Sequence, residues 1–409
     1  MTTDAPPSYR YLDNAASAPL DPRALAAMLP WLATAQTAAH GFANPASLHG
    51  PGQGARTAVQ NALAQIAHCL GARPDEITLT SGATEANNWA IRGLAETLSA
   101  SGRPRHLVTT AIEHPSVREP VRWLERAGWR VTYAPVDREG FVHPDLLAQA
   151  MGDDTALVSI IHGHNEIGTV QPLDELIEVA HRHGALFHAD AAQTVGKLPL
   201  NVARLPVDYL TFSAHKCYGP KGVGGLFARH DAPAPAPLLL GGGQQQGRRS
   251  GVENPALAVG FATALHYACE EAPAESRRLR TLGRRLLERL RIELQESRFR
   301  LILNGPEDFH RRLPGNAHFS LLCEGHAPLE GEALALQLDL RGIGVSSGSA
   351  CHSGSLTPSA SVLALGKTQA EATATLRVSL GRENDDSDVE ALIAALPAVL
   401  RRVVPAGRL

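Results

Sequence analysis

From Ile77 to Ala228 short apolar runs alternate with amphipathic helical patterns, and that alternation constrains the fold more than any other feature of the chain. Strand, helix and strand in repeated succession is the pattern of βαβ units around a mainly parallel sheet, an α/β architecture. The expected strands are Ile77 to Thr80, Arg105 to Thr110, Ala156 to Ile161, Ala185 to Ala189 and Tyr209 to Phe212, with a helix from Glu85 to about Leu98. Open sheets of this kind bind ligands at the carboxyl ends of their strands. All five runs are followed by polar or reactive residues suited to a site.

Asp190 follows one run and Lys216, 26 residues later in Thr211-Phe212-Ser213-Ala214-His215-Lys216, follows the next. An aspartate and a lysine on adjacent strand ends suit pyridoxal 5'-phosphate (PLP). The lysine links covalently to the cofactor aldehyde, and the aspartate keeps the pyridine nitrogen protonated so that the ring withdraws electrons. Taken singly, a solvated lysine and a capping aspartate are the plainer readings. They lose ground because further parts appear in order. Ser81-Gly82-Ala83-Thr84 opens a helix, where exposed N–H groups and the helix dipole favour a phosphate; helix capping alone would also explain it. Ser213 and His215 offer further phosphate donors. Gln193 can reach the phenolic oxygen, His114 can stack on the ring, and Asn165 stands at another strand end.

The second informative segment is Ser346 to Ser355, in which seven of ten residues are Ser or Gly around Cys351. Such a loop is expected to be mobile. An exposed thiol in it is costly to keep unless its reactivity is used. An incidental cysteine in a linker is the alternative.

The chain resembles the cysteine desulfurases, in the branch typified by nitrogen-fixation and housekeeping iron–sulfur enzymes. The resemblance rests on collinear motifs that include YLDNAASAPLDPR (11–23), FANPASLHGPGQGAR (42–56), ITLTSGATEANNWAI (77–91), IHGHNEIGTVQPL (161–173), HADAAQTVGKLP (188–199), TFSAHKCYGPKGVGG (211–225), RRSGVENP (248–255), VSSGSACHSGSLTPS (345–359) and LRVSLGREN (376–384). It implies a fold-type-I PLP-dependent transferase that acts as a homodimer. The large domain, 18–265, would carry a mainly parallel seven-stranded sheet, and residues 1–17 with 266–409 would form a smaller α+β domain bearing the cysteine loop. Lys216, Cys351 and His114 would be catalytic. Ala83, Thr84, His114, Asp190, Gln193, Ser213, His215 and Lys216 would hold the cofactor, and Asn165, Arg377 and Asn44 the substrate. A guanidinium fork matches a carboxylate, although from spacing alone Arg377 reads equally well as a structural ion pair. The implied reaction converts L-cysteine to L-alanine and a Cys351 persulfide, which is passed to a sulfur-acceptor protein for iron–sulfur cluster biosynthesis or another pathway. Selenocysteine lyase and a cysteine-independent PLP lyase or aminotransferase are the alternatives. An inactive relative would have lost Lys216, Asp190 or His114, and all three are present.

Several residues depart from the family pattern. Val252 stands where RSGT usually supplies a threonine to the partner subunit's phosphate. Cys217 replaces a larger apolar residue and reads as a buried small hydrophobe. His162 and His164 form an HxH pair without a partner at metal spacing, so no metal is expected.

Composition adds exclusions. A net charge of −3 argues against a nucleic-acid or membrane partner held by charge, and no apolar run reaches membrane-spanning length. Five scattered cysteines, 69, 217, 269, 323 and 351, do not suggest a disulfide framework. A reducing cytoplasm is the expected location. Toward the C-terminus, 231–247 reads as an irregular break and Asn254 to Leu294 as a helix interrupted near Ala272-Pro273. A last helix is expected to open on a capping box at Ser387-Asp388-Val389-Glu390 and to bury Val389, Leu392, Ile393, Leu396 and Val399.

Overall fold

The computed structural model describes residues 9–32, 42–325, 328–348 and 357–404. Cys351 and His352 lie outside the described residues. The chain opens with β1 (Arg10–Tyr11) and then lays down β2 (Ile77–Thr80), β3 (His106–Thr110), β4 (Arg130–Ala134), β5 (Thr155–Ile161), β6 (Leu186–Asp190), β7 (Tyr209–Ser213) and β8 (Gly224–Ala228). The last seven form one sheet in the order β2-β8-β7-β6-β5-β3-β4. Only β8 runs against its neighbours, so the sheet is mainly parallel and seven-stranded, as expected. Strands β2, β3, β5 and β7 are buried at every residue, which is what helices on both faces of a parallel sheet produce.

The expected strands are present to within a residue or so at their ends. β6 runs one residue later than Ala185 to Ala189 and so includes Asp190. The helix after β2 starts at Ala83 and continues to Ala100 through a wider turn at Trp89–Gly93.

The expected break at Ala272-Pro273 does not occur: Pro255–Leu294 is one helix of 40 residues. A proline inside a helix costs about 3 kcal/mol. Here the helix is gripped on both sides of Pro273. Phe261, Leu265 and Ala268 pack in one core, and Leu279, Leu282, Leu286 and Leu290 in another. Each buried large side chain contributes roughly 1.5–3 kcal/mol, so packing outweighs the lost hydrogen bond. The second core also takes in Leu12 and covers the antiparallel sheet of β9 (Phe299–Leu303), β10 (Asn316–Cys323) and β12 (Thr375–Ser379). β1 pairs in parallel with β11 (Ile343–Gly344), which ties the N-terminal segment to the C-terminal third.

The last helix, Asp386–Val403, is capped two residues earlier than expected. Asp385, not Ser387, is the cap: its carboxylate accepts from Ser387 N, and Asp388 accepts from Asp385 N. Its buried face contains all five expected residues.

Candidate active site

Strands β2, β3, β5, β6 and β7 point the same way, and beyond their carboxyl ends lies a cavity of about 560 Å³. Every described residue proposed from sequence, except Asn44, lines it.

Lys216 ends a single 3-10 turn, Ala214–Lys216, that follows β7 directly. Tyr218, two residues on, has φ 62°, a left-handed conformation rare for a bulky residue. Surrounding bonds hold it there: Asp21 N donates to its carbonyl and Arg382 N to its hydroxyl. The chain therefore turns sharply after Lys216. Lys216 Nζ donates to Ala15 O and Ala16 O, both at 2.7 Å. The N-terminal segment thus supplies part of the site, a role the sequence did not reveal because the contributing groups are backbone carbonyls.

On the neighbouring strand Asp190 is 3% exposed. Ala192 N donates to its Oδ1 at 3.0 Å and Asn87 Nδ2 to its Oδ2 at 2.8 Å. Both of its oxygens are therefore fixed in place by donors. Asn87, which also donates to Ser116 Oγ, was missed in the sequence; it sits one helical turn past the Ser-Gly-Ala-Thr run, on the face turned to β6.

The start of the Ala83–Ala100 helix forms a cradle for an anion. Gly82, at φ 151°, takes a backbone conformation that favours glycine. A Cβ there would stand 3.8 Å from Ser213 Oγ, in the gap between helix start and strand end. Glu85 accepts from Ser81 N and is paired with Arg249, so the turn is braced from outside. Ser213, at the end of β7, and His215, in the turn after it, line the same cavity, as does Lys221. Burial, aided by the nearby lysines, brings His215 down to about 4, so it offers hydrogen bonds without charge at neutral pH.

His114 caps the helix Pro115–Arg126. Its Nδ1 accepts from Ser116 N at 3.1 Å and lies 2.7 Å from Ser116 Oγ. With Nδ1 accepting, the ring proton sits on Nε2. Burial holds the pKa below the usual imidazole value.

Arg377, on β12, brings the second sheet to the cavity. It is 4% exposed, donates from Nη1 to Asn165 O and pairs through Nη2 with Asp13. The ion pair expected on the plainer reading is present, and the same side chain lines the cavity. Its Nε is buried with no hydrogen-bond partner among the described residues, which leaves a donor for an anionic ligand. Asn44 does not join the site within this chain. It is exposed, and its Oδ1 accepts from Ala46 N in a local turn.

The HxH pair is absorbed by ordinary hydrogen bonds. His162 Nδ1 meets Thr194 Oγ1, and His164 Nε2 donates to Ile112 O. Burial lowers both to about 4. Cys217 is fully buried, and burial pushes its thiol up to about 12. It is a packing residue despite its place beside Lys216.

An amine, a fixed carboxylate and an anion cradle around one cavity make a donor set that fits PLP. The chain's similarities point the same way. Residues 10–392 match the family Aminotransferase class-V. The "Cysteine desulfurase IscS" of Dictyoglomus turgidum is 42% identical over 393 residues, 96% of this chain and 95% of that protein. The "IscS-like cysteine desulfurase" of Mycobacterium tuberculosis is 40% identical over 397 residues, 96% of each. Among solved structures, a "NifS-like protein" superposes with a TM-score of 0.85 at 33% identity, covering 96% of this chain and all of that one. "SspA in complex with cysteine" superposes at 0.73 with 34% identity, covering 91% and 98%. The chain belongs to the aminotransferase class-V family of PLP-dependent enzymes and, within it, to the cysteine desulfurases.

Proposed function

We propose that this chain takes the sulfur of L-cysteine onto Cys351 and releases L-alanine. The observation that carries the reading is convergence: Lys216, Asp190 and Arg377 line one cavity, and so does Gly348. Gly348 is three residues before Cys351, a stretch that spans about 10 Å at most. A neighbouring cavity of about 210 Å³ shares His114, Asn165 and Gly348 with the first and reaches Thr357.

In this reading Lys216, Ser213, His215 and the Gly82–Thr84 turn would hold PLP, Asp190 would pair with its ring nitrogen, Gln193 would donate to its phenolic oxygen and His114 would stack on it. When bound, PLP supplies an electron-withdrawing ring that stabilises negative charge on the substrate's Cα. Arg377 grips the substrate carboxylate, exchanging part of its pairing with Asp13, while Asn165 lines the same end. Lys216 Nζ would serve as the base that removes the Cα proton. Cys351, as thiolate, attacks the substrate sulfur: an S–S bond forms, the Cβ–S bond breaks, and its electron pair stays with the carbon fragment. Protonation of that fragment, for which Lys216 and the Nε2–H of His114 are at hand, gives alanine. The persulfide then passes to an acceptor protein. The enzyme works as a cytoplasmic homodimer on a small amino acid, without nucleic acid or membrane.

The holoprotein should release alanine from L-cysteine, one for each sulfur captured by an added thiol. L-Selenocysteine run in parallel separates the alternatives. Alanine from selenocysteine alone would replace this reading with a selenocysteine lyase.

Val252 offers a graded test of cofactor retention. It is 62% exposed and does not line its own chain's cavity; in this reading it turns toward a partner subunit. Val252→Thr should add one phosphate donor, and a hydrogen bond to a charged group is worth about 1.5–3 kcal/mol. PLP loss on dialysis should therefore slow by about tenfold or more. An unchanged rate would put Val252 out of reach of the phosphate.

A further inference from the structure

One amine near the cofactor cavity has no part in the reaction as derived. Lys197 follows Gln193 by four residues, and its Nζ donates to Gln193 Oε1 at 2.9 Å. Ser276 Oγ, on the long helix, donates to the Lys197 carbonyl at 2.7 Å and fixes the backbone. Lys197 lines a small cavity of about 40 Å³ between the two cores, whereas Gln193 lines both that cavity and the large one. The Gln193 side chain is thus part of the wall between them.

The two ends of a side-chain amide are almost the same shape, and its neighbours decide which way it faces. Here both neighbours agree. Ala15 O, which only accepts, lies 2.8 Å from Gln193 Nε2, and the Lys197 amine donates to the other end. Ala15 O also accepts from Lys216 Nζ, so a continuous line runs from Lys197 through Gln193 and Ala15 to Lys216. One Nε2 proton serves Ala15, which leaves the second for the large cavity.

We propose that Lys197 is a positioning residue, whose amine holds the Gln193 amide with its nitrogen toward the large cavity so that Gln193 donates to the phenolic oxygen of PLP. This rests on the cofactor assignment above. The charged and titratable groups around Lys197 are Lys216, Arg377 and Cys217, with Glu271, Glu275, Tyr218 and Arg382 around the small cavity. Burial first, and then Lys216, bring Lys197 down to about 7. An amine donates in either protonation state, so the orientation persists through neutral pH. A donor on the phenolic oxygen stabilises its anionic form. It also weakens that oxygen's hold on the proton of the adjacent lysine-linked nitrogen. Without the donor that proton is kept to higher pH.

The pH midpoint of the holoenzyme's visible absorption change reads this directly, apart from turnover. Lys197→Met should raise the midpoint by about one pH unit, the size expected for one lost hydrogen bond to a charged acceptor. Gln193→Leu should raise it similarly, and the double variant no further, since the two act as one unit. Lys197→Gln, which keeps a donor without the charge, should stay near wild type. An unchanged midpoint in Lys197→Met would overturn the proposal. So would a Lys197→Met shift that persists in full on the Gln193→Leu background, because the lysine charge would then act directly. If Lys197→Met does not fold, Gln193→Leu decides: an unchanged midpoint removes the donor on which the proposal depends. A wild-type protein with no visible band would instead sink the cofactor assignment itself.

Discussion

Lys216→Ala should fold, retain part of its PLP and turn over no measurable L-cysteine. A positioned general base alone contributes about 10²- to 10⁴-fold, and this substitution also removes the covalent anchor, so a fall of at least about 10⁴-fold is expected. Retention follows from the rest of the site. Asp190 keeps its bonds from Asn87 and Ala192 N, and the Gly82–Thr84 turn keeps its brace through Glu85 and Arg249. The chain has four lysines, 197, 216, 221 and 367. Borohydride reduction followed by peptide mass spectrometry should therefore give a clean answer in the wild type: reduced cofactor on Lys216. Cofactor on Lys197 or Lys221 would overturn the assignment.

Cys351→Ala should separate binding from sulfur transfer. Lys216, Asp190 and Arg377 remain, so the PLP spectrum should survive and still change when L-cysteine is added. Alanine and sulfide formation should fall by orders of magnitude, because no nucleophile is left to take the sulfur. Cys217 cannot substitute, since burial holds its thiol at about 12. Selenium leaves carbon more readily than sulfur, so selenocysteine turnover should fall less. Wild-type rates with cysteine in this variant would point to a cysteine-independent lyase.

The sheet was legible in the sequence because its parallel strands are short, mostly apolar runs with polar or reactive residues at or just after their ends. Thr80, Ile161 and Asp190 close three of them, and the predicted site residues sit just beyond. What escaped notice depends on distant contacts. Asn87 reads as one more polar residue on a helix until its 2.8 Å bond to Asp190 is seen. The carbonyls of Ala15 and Ala16 carry no side-chain signal. Tyr218 adopts a conformation that its residue type disfavours, held by partners more than 160 residues away in sequence. The long helix was misread at Pro273 because local preference was weighed without the two cores that clamp it. The Asp385 cap was missed because Asp385, Asp386 and Ser387 all suit a helix start, and only the hydrogen bonds distinguish them. Asn44 carries no local signal for the site beyond the resemblance, and within this chain it does not line the cavity.

The central claim is that the PLP cavity and the Cys351 thiol act in sequence on one substrate. A single turnover tests it most directly: the wild-type holoprotein is mixed with one equivalent of ³⁵S-labelled L-cysteine, quenched with an alkylating agent and mapped by peptide mass spectrometry. The label should lie as a persulfide on Cys351, with one alanine formed per label, and Cys69, Cys217, Cys269 and Cys323 should be unmarked. Alanine formed in full with the label on another cysteine, or on none, would contradict the account.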